Sequence, residues 1–229
     1  MRIGTTPLSK LYYGHDLIWK REDDSIFIIT TTNNTDFFTM GAIWFTEVKG
    51  TVDWGDGTKE AIIEDIGSHT YPYSNSWTIK IVAPVLTIGR FKNNVNIKEI
   101  IIPKTCKTIL QEAFSGCVNL KSVIMSDSVT SMSHYTFNGC TNLTSVILSN
   151  SLTGIGSYAF ANCTSLESIL IPDSVKSISG RAFQGCTSLK SINIPSSITN
   201  IYIYAFAGCI SLENVDIPNS VSKLGEGAF

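Results

Sequence analysis

A single spacing governs the C-terminal two-thirds of this chain. Phe114, Phe137, Phe160, Phe183, Phe206 and Phe229 stand 23 positions apart, and so do Cys117, Cys140, Cys163, Cys186 and Cys209. Leu120, Leu143, Leu166, Leu189 and Leu212 form a third column with the same period. A unit of this length is too short to bury its own apolar face, so it must stack against copies of itself. The expected result is a solenoid whose core runs the length of the stack.

Within a unit, Leu120, Val123 and Met125 follow an L-x-x-L-x-L spacing, repeated by Leu143, Val146 and Leu148 and by Leu166, Ile169 and Ile171. That spacing is the strand signature of a leucine-rich repeat, and stacking predicts parallel strands about 4.8 Å apart. Pro103, Pro172, Pro195 and Pro218 follow the strand, where a residue lacking an N–H ends ladder pairing and turns the chain. Segments such as GRAFQGC, ending at Cys186, read as one or two helical turns closed by glycine. Leu86, Phe91, Ile97, Ile100 and Ile102 fall one period earlier, so a degenerate first coil is expected over 85–103. At the other end the sequence stops at Phe229, partway through a coil, and cover by further chain or by another chain is expected there.

IPDSVKSISGRAFQGCTSLKSINIP, residues 171–195, resembles the BspA-like leucine-rich-repeat family, whose pattern runs roughly I-P-x-S-V-T-x-I-x-x-x-A-F-x-G-C-x-x-L-x-x-I-x-I-P. Thr136 replaces the alanine of that pattern, Asn162 the glycine, and Ser126 and Ser149 the proline. The resemblance covers 85–229 and implies a mostly β fold with short helical turns: a solenoid with a parallel sheet, of about six coils, the last incomplete.

Residues 24–84 carry no such period. SIFIIT, AIWFTEV, TVDWGDGTKEAII and WTIKIVA are short β-branched or aromatic runs, and Asp56-Gly57 between apolar flanks marks a tight hairpin. WGDGT followed by HTY and WTIKI resembles the PKD-like β-sandwich module, which implies a small N-terminal β-sandwich-like domain over 24–84. Residues 1–23 stand apart as a docking arm, with Leu11, Tyr13 and Trp19 among its apolar contact residues. IGTTPLSKLYYGHDLIW is similar to N-terminal segments of head and tail structural proteins of bacteriophages infecting gut Bacteroidetes. That similarity implies a virion component, of decoration or fibre type, that helps a particle adhere to a host surface. The N-terminus has no apolar stretch of signal-peptide form, which agrees with assembly in a host cytoplasm.

Chemistry is sparse along the chain. Its 17 basic and 19 acidic residues are interspersed, for a net charge of −2, which leaves no basic stripe to hold phosphates, so nucleic acid is not an expected partner. No run reaches the roughly 20 apolar residues of a membrane helix. His15, His69 and His134 lie in three segments without an accompanying nucleophile motif, so no catalytic residue is assigned and no enzyme is expected. No cofactor is expected either. Asp53 and Asp56 flank Trp54 in the hairpin turn and are the candidate calcium ligands, although Asp serves turns equally well by accepting from nearby amides. The cysteine column reads as buried packing, because a linear stack does not present the tetrahedral ligand set of zinc.

Strand alternation places Ile101, Ile124, Ile147, Leu170, Asn193 and Asp216 on the outward face if Val123 and Met125 point inward. Four stacked apolar residues on an exposed face mark a protein interface, though β-branched residues also simply suit strands. Beside them run Glu99, Ser122, Ser145, Ser168, Ser191 and Asn214, whose small polar groups suit a glycan as well as solvent. The expected function is therefore binding without catalysis, in a virion or, alternatively, in a BspA-like adhesin on a bacterial cell surface. The expected partners are other virion proteins, or a host-surface protein or glycan, within an oligomer or larger assembly.

Overall fold

The computed structural model describes residues 10–13, 16–20, 26–31, 38–39, 50–62, 68–71, 75–82, 87–89 and 91–229. The AIWFTEV segment lies outside them. β1 (Lys10–Tyr13) and β2 (Asp16–Lys20) form an antiparallel hairpin. They are followed by β3 (Ile26–Thr31), β4 (Phe38–Thr39), β5 (Gly50–Asp53), β6 (Lys59–Ile62), β7 (Ser68–His69) and β8 (Thr78–Val82). The periodic region supplies β9 (Thr87–Ile88), β10 (Ile97–Ile102), β11 (Thr108–Ile109), β12 (Ser122–Met125), β13 (Ser131–Met132) and β14 (Ser145–Ile147). Its later coils add β15 (Ser168–Ile169), β16 (Ser177–Ile178), β17 (Ser191–Ile192), β18 (Asn200–Ile201) and β19 (Lys223–Leu224).

Three sides of each coil stack on the same sides of the next. On the first, β10, β12 and β14 pair in parallel with Ile101, Ile124 and Ile147 in register, and β15 pairs with β17 further along. On the second, β9, β11 and β13 form one ladder, which continues through bridges at Ile155 to β16, β18 and β19. On the third, the Ala-Phe-x-Gly-Cys turns pair across coils. The Phe137 N–H donates to Ala159 O at 2.8 Å, Phe160 to Ala182 at 2.8 Å and Phe183 to Ala205 at 2.8 Å. Buried amides thus find partners without regular secondary structure.

The core is a column of rings and thiols. Successive phenylalanines from Phe91 to Phe229 stack with near-parallel rings, the Phe114–Phe137 and Phe137–Phe160 centroids both 5.4 Å apart. Each repeat cysteine donates its thiol proton to the phenylalanine carbonyl of the coil before: Cys117 to Phe91 at 3.1 Å, Cys140 to Phe114 at 3.1 Å, Cys163 to Phe137 at 3.2 Å. The side chain is therefore a small apolar filler that also satisfies a buried carbonyl. Burial pushes the Cys117 thiol up to about 12 and raises Cys140 and Cys163 well above the usual thiol range.

Two sequence expectations need correction. The turns before each phenylalanine are not helical. Glu112, Tyr135, Tyr158, Arg181 and Tyr204 adopt left-handed φ values between 56° and 58°, which interrupt any right-handed helix. Overlapping turns follow instead, with Ala182 N–H donating to Ser179 O at 3.2 Å and Gln184 N–H to Arg181 O at 3.2 Å. A helix would consume the phenylalanine N–H internally, whereas the turn frees it for the neighbouring coil. The Asn162 position is a mild departure: it takes the left-handed place of the repeat glycine at φ 59°, a conformation asparagine tolerates better than most residues. The second correction concerns the first coil. Ile88, not Leu86, is the column mate of Ile109, and it is fully buried. Ile88 is followed more closely by Phe91 than Ile109 is by Phe114, so a shortened turn restores the register, with Phe91 and Phe114 5.2 Å apart.

The N-terminal strands continue the solenoid sheet, whose order is β14-β12-β10-β3-β8-β5-β6. β3 lies antiparallel on β10, with Ile28 opposite Ile101, and so covers the edge that the first coil would otherwise expose. The cores join as well, the Phe27 and Phe91 centroids being 5.9 Å apart.

Phe160→Ala is expected to cost about 3–5 kcal/mol in equilibrium urea unfolding, because stacked coils on both sides prevent collapse into the cavity. The thiols predict an alkaline limit. Below the ordinary value of 9.0 both folded and unfolded thiols keep their protons; between 9 and about 12 only the folded chain does, so stability falls as pH rises. Thermal melts should show a steepening drop above pH 9, and Cys140→Ala with Cys163→Ala should make that drop shallower while lowering the melting temperature at pH 8.

Candidate functional site

The outward face of the sheet is one continuous row of opposed residues. Lys59 faces Asp53, Asp53 faces Lys80, Lys80 faces Ile28, and Ile28 leads into Ile101, Ile124 and Ile147. Inward neighbours Val52, Ile79, Ile81, Ile29, Ile100 and Val123 are buried, so alternation fixes which residues look out. The row is charged over β6, β5 and β8 and apolar from β3 onward. Ile28, Ile101 and Ile124 are half-buried, Ile147 is 40% exposed and Leu170 is 70% exposed. The structure thus brings together Ile101, Ile124, Ile147 and Leu170, and it adds Ile28, which lies outside the period and so escaped the sequence reading. Ser122, Ser145, Ser168 and Ser191 run in register beside them.

The backbones of Leu11, Tyr13 and Trp19 belong to the β1–β2 hairpin, with Leu11 opposite Trp19. Their side chains lie outside the described residues.

Asp53 and Asp56 occupy the β5–β6 turn, but their carboxylates serve different partners. Asp53 accepts from Lys59 Nζ at 3.0 Å and from Gly55 N–H at 3.0 Å, and the Lys59 bond holds its carboxyl below the usual range. Asp56 Oδ1 accepts from Thr58 N–H at 3.0 Å and from its hydroxyl at 2.6 Å, while Oδ2 meets His69 Nε2 at 2.7 Å. Desolvation opposes its ionisation, yet the bonds from Thr58 and His69 outweigh that and pull the carboxyl down to about 2. Around this pair the rings of Trp54 and His69 stack at 4.7 Å, and Tyr71 sets its edge to His69 and its hydroxyl on Trp54 O. Gly55 is required here, since at φ 87° a Cβ would lie 2.6 Å from Thr78 O. The arrangement ties the β5–β6 turn to His69 of β7, with each oxygen of the two carboxylates already accepting from or facing a neighbouring group. No cluster of three or more His, Cys, Asp or Glu side chains forms among the described residues. His134 is exposed and accepts Ser157 N–H at 3.0 Å, and His15 lies outside the described residues.

Further along, the ladder is interrupted between β14 and β15 and again beyond β17. β17 pairs with β15 only, and Asn214–Ile217 of the next coil do not pair with it. A groove of about 630 Å³ lies over the face of these coils, lined by Leu170, Asn193, Asp216 and the serines 168 and 191. Strand periodicity predicts pairing here and gave no sign of this opening.

Stacked coils with an exposed parallel sheet define a leucine-rich-repeat solenoid of the kind suited to protein binding. The family model for the BspA type leucine rich repeat region matches in six copies across residues 64–186 and 153–229, and the chain belongs to that family. Among solved structures it is similar to a leucine rich cell surface protein from Faecalibacterium prausnitzii, at 39% identity and TM-score 0.51, over 52% of this chain and 31% of that one. It is also similar to the leucine rich repeat protein of T. pallidum, at 30% identity and TM-score 0.59, over 62% and 67% of the two chains. A leucine-rich repeat protein from Bacteroides ovatus matches at 29% identity and TM-score 0.55, over 79% and 55%. The chain spans about a third of the length of the Faecalibacterium protein. No curated protein matches it.

Calcium and chelators should leave the melting temperature unchanged. Acid should not: the Asp56 contribution is present above 3.8 and is lost as pH falls through about 2. An Asp56→Asn variant should lose stability at neutral pH and show a flatter melting profile between pH 4 and 2.

Proposed function

We propose that this chain is a non-enzymatic, protein-binding module of a bacterial cell-surface protein, using the outward sheet face as its contact surface. The observation that carries the reading is the apolar row Ile28, Ile101, Ile124, Ile147 and Leu170, which sits at the centre of an otherwise polar face and is most exposed at its far end. A contiguous apolar stripe of this kind is an interaction surface in a folded protein. The similarity to a protein described as a cell surface protein supports the location. In this reading residues 24–84 cap the stack, 85–229 present the face, and 1–23 are an arm that docks to a further component. The virion role draws no support from these relatives, which are bacterial proteins.

Labelled chain applied to intact host and neighbouring bacterial cells tests the proposal. Saturable binding is expected, and Ile124→Lys with Ile147→Lys should weaken it by about 10- to 100-fold, a loss of roughly 1.4–2.8 kcal/mol, with an unchanged melting temperature. Binding that survives the double substitution overturns the assigned face. Recovery of the chain from purified phage particles, and not from the bacterial surface, overturns the location.

A further inference from the structure

The third side of the coils, where the Ala-Phe-x-Gly-Cys turns stack, carries a ladder of its own. The left-handed residues Tyr135, Tyr158, Arg181 and Tyr204 follow one another, one per coil, and all are half-buried. The Tyr135 and Tyr158 rings stack at 4.6 Å, and the Arg181 guanidinium carbon lies 5.5 Å from the Tyr158 centroid and 4.9 Å from that of Tyr204. A planar cation set over two rings has its faces satisfied, which leaves its in-plane N–H groups for an acceptor. Those groups form no hydrogen bond or ion pair among the described residues, whereas Lys92 and Lys190 are held by Glu112 and Glu167 at 2.8 Å each.

The surroundings narrow the ligand. Beside the ladder run Ser157, Gly180 and Ile203, again one per coil. Gly180 has no side chain, and Ile203 reaches towards it, with Cγ1 3.4 Å from where a Gly180 Cβ would sit; Ile203 is 46% exposed. A bare apolar side chain therefore stands next to the guanidinium. Across 154–166, 177–189 and 200–212, Arg181 is the only Asp, Glu, Lys or Arg. A single fixed cation among neutral neighbours matches a single carboxylate, whereas a nucleic acid or an anionic membrane draws on many cations together. The ring faces on either side of the guanidinium are already covered by it, so they offer a sugar ring nothing to stack on, while Ile203 suits an aliphatic side chain.

From this geometry we infer that the turn side binds a partner protein through one acidic side chain flanked by aliphatic residues. The carboxylate accepts two parallel N–H bonds from Arg181, and an aliphatic neighbour rests on Ile203. Because Tyr158 and Tyr204 already hold the guanidinium, little freedom is lost on binding. This surface lies on a different side of the coils from the outward sheet row, so it stands whether or not that row is the cell-binding face.

The probe is the capped peptide acetyl-Gly-Leu-Glu-Leu-Gly-amide, titrated into the full chain and followed by nuclear magnetic resonance. Saturable movement of the Arg181 side-chain Nε–H signal and of the Ile203 amide is expected. Binding read at Ile203 should be about tenfold weaker for the glutamine version of the peptide and for Arg181→Lys, which keeps the charge but loses the fork. Equal binding of the glutamate and glutamine peptides overturns the carboxylate assignment, and that arm needs no variant. Unchanged binding by Arg181→Lys, at an unaltered melting temperature, overturns the role of the guanidinium. Tighter binding of methyl glucuronide than of the peptide overturns the protein partner in favour of an acidic sugar. An equal response to sodium sulfate shows a general anion effect and overturns the inference as well. The Ile124→Lys and Ile147→Lys substitutions should leave peptide binding intact. If they abolish it, the peptide sits on the sheet face, which sinks this inference and keeps that surface; peptide binding without sheet-dependent cell adhesion does the reverse.

Discussion

The phenylalanine carbonyl is the point on which the stack depends. Phe114 O accepts Cys117 N–H within its own coil at 3.2 Å and the Cys140 thiol from the next at 3.1 Å. Its N–H donates onward to Thr136 O at 2.9 Å. One residue's backbone thus closes the turn and ties coils together, in a core where an unmet carbonyl would cost on the order of 1–3 kcal/mol. The ring above it fills the centre of the coil, so packing and hydrogen bonding fix the same register. This is why the period tolerates no drift, and why the shortened first coil returns to register by Phe91.

Stacking of this kind creates two ends and one exposed sheet. At the N-terminal end the problem is solved by β3, which pairs antiparallel with β10 and brings its own hairpin strands, held by the Asp56–His69 pair, the Trp54 ring stacked on His69 and the Tyr71 ring set edge-on to it. The mixed sheet that results carries charge at the cap and apolar residues over the coils. The exposed sheet is then the natural place for contact, because its inward residues are consumed by the core while Ile147 and Leu170 of its outward row reach solvent.

Much of the site was legible because strands alternate strictly. Once Val123 was placed inward by the leucine column, Ile124 had to face out, and the period carried that assignment to Ile101, Ile147 and Leu170. Ile28 was hidden because cross-strand neighbours from outside the repeat depend on which strand docks at the edge. The hairpin at Asp56-Gly57 was legible from turn chemistry, but the His69 partner of Asp56 was not, since pairing across two strands leaves no local trace. The turn conformation was misread for a physical reason: a short Ala-Phe run suits a helix locally, and only the adjoining coil rewards the left-handed residue that redirects the phenylalanine N–H.

By itself the sequence determined the period, the identity of the core columns and the alternation that defines an outward face, because each is set by spacing along one chain. The tertiary structure decided how the first coil is capped, how the turns are wound and where the ladder opens. Those depend on hydrogen-bond partners that lie a full coil away or outside the repeat, where a donor's destination is fixed by stacking and not by its neighbours in the chain.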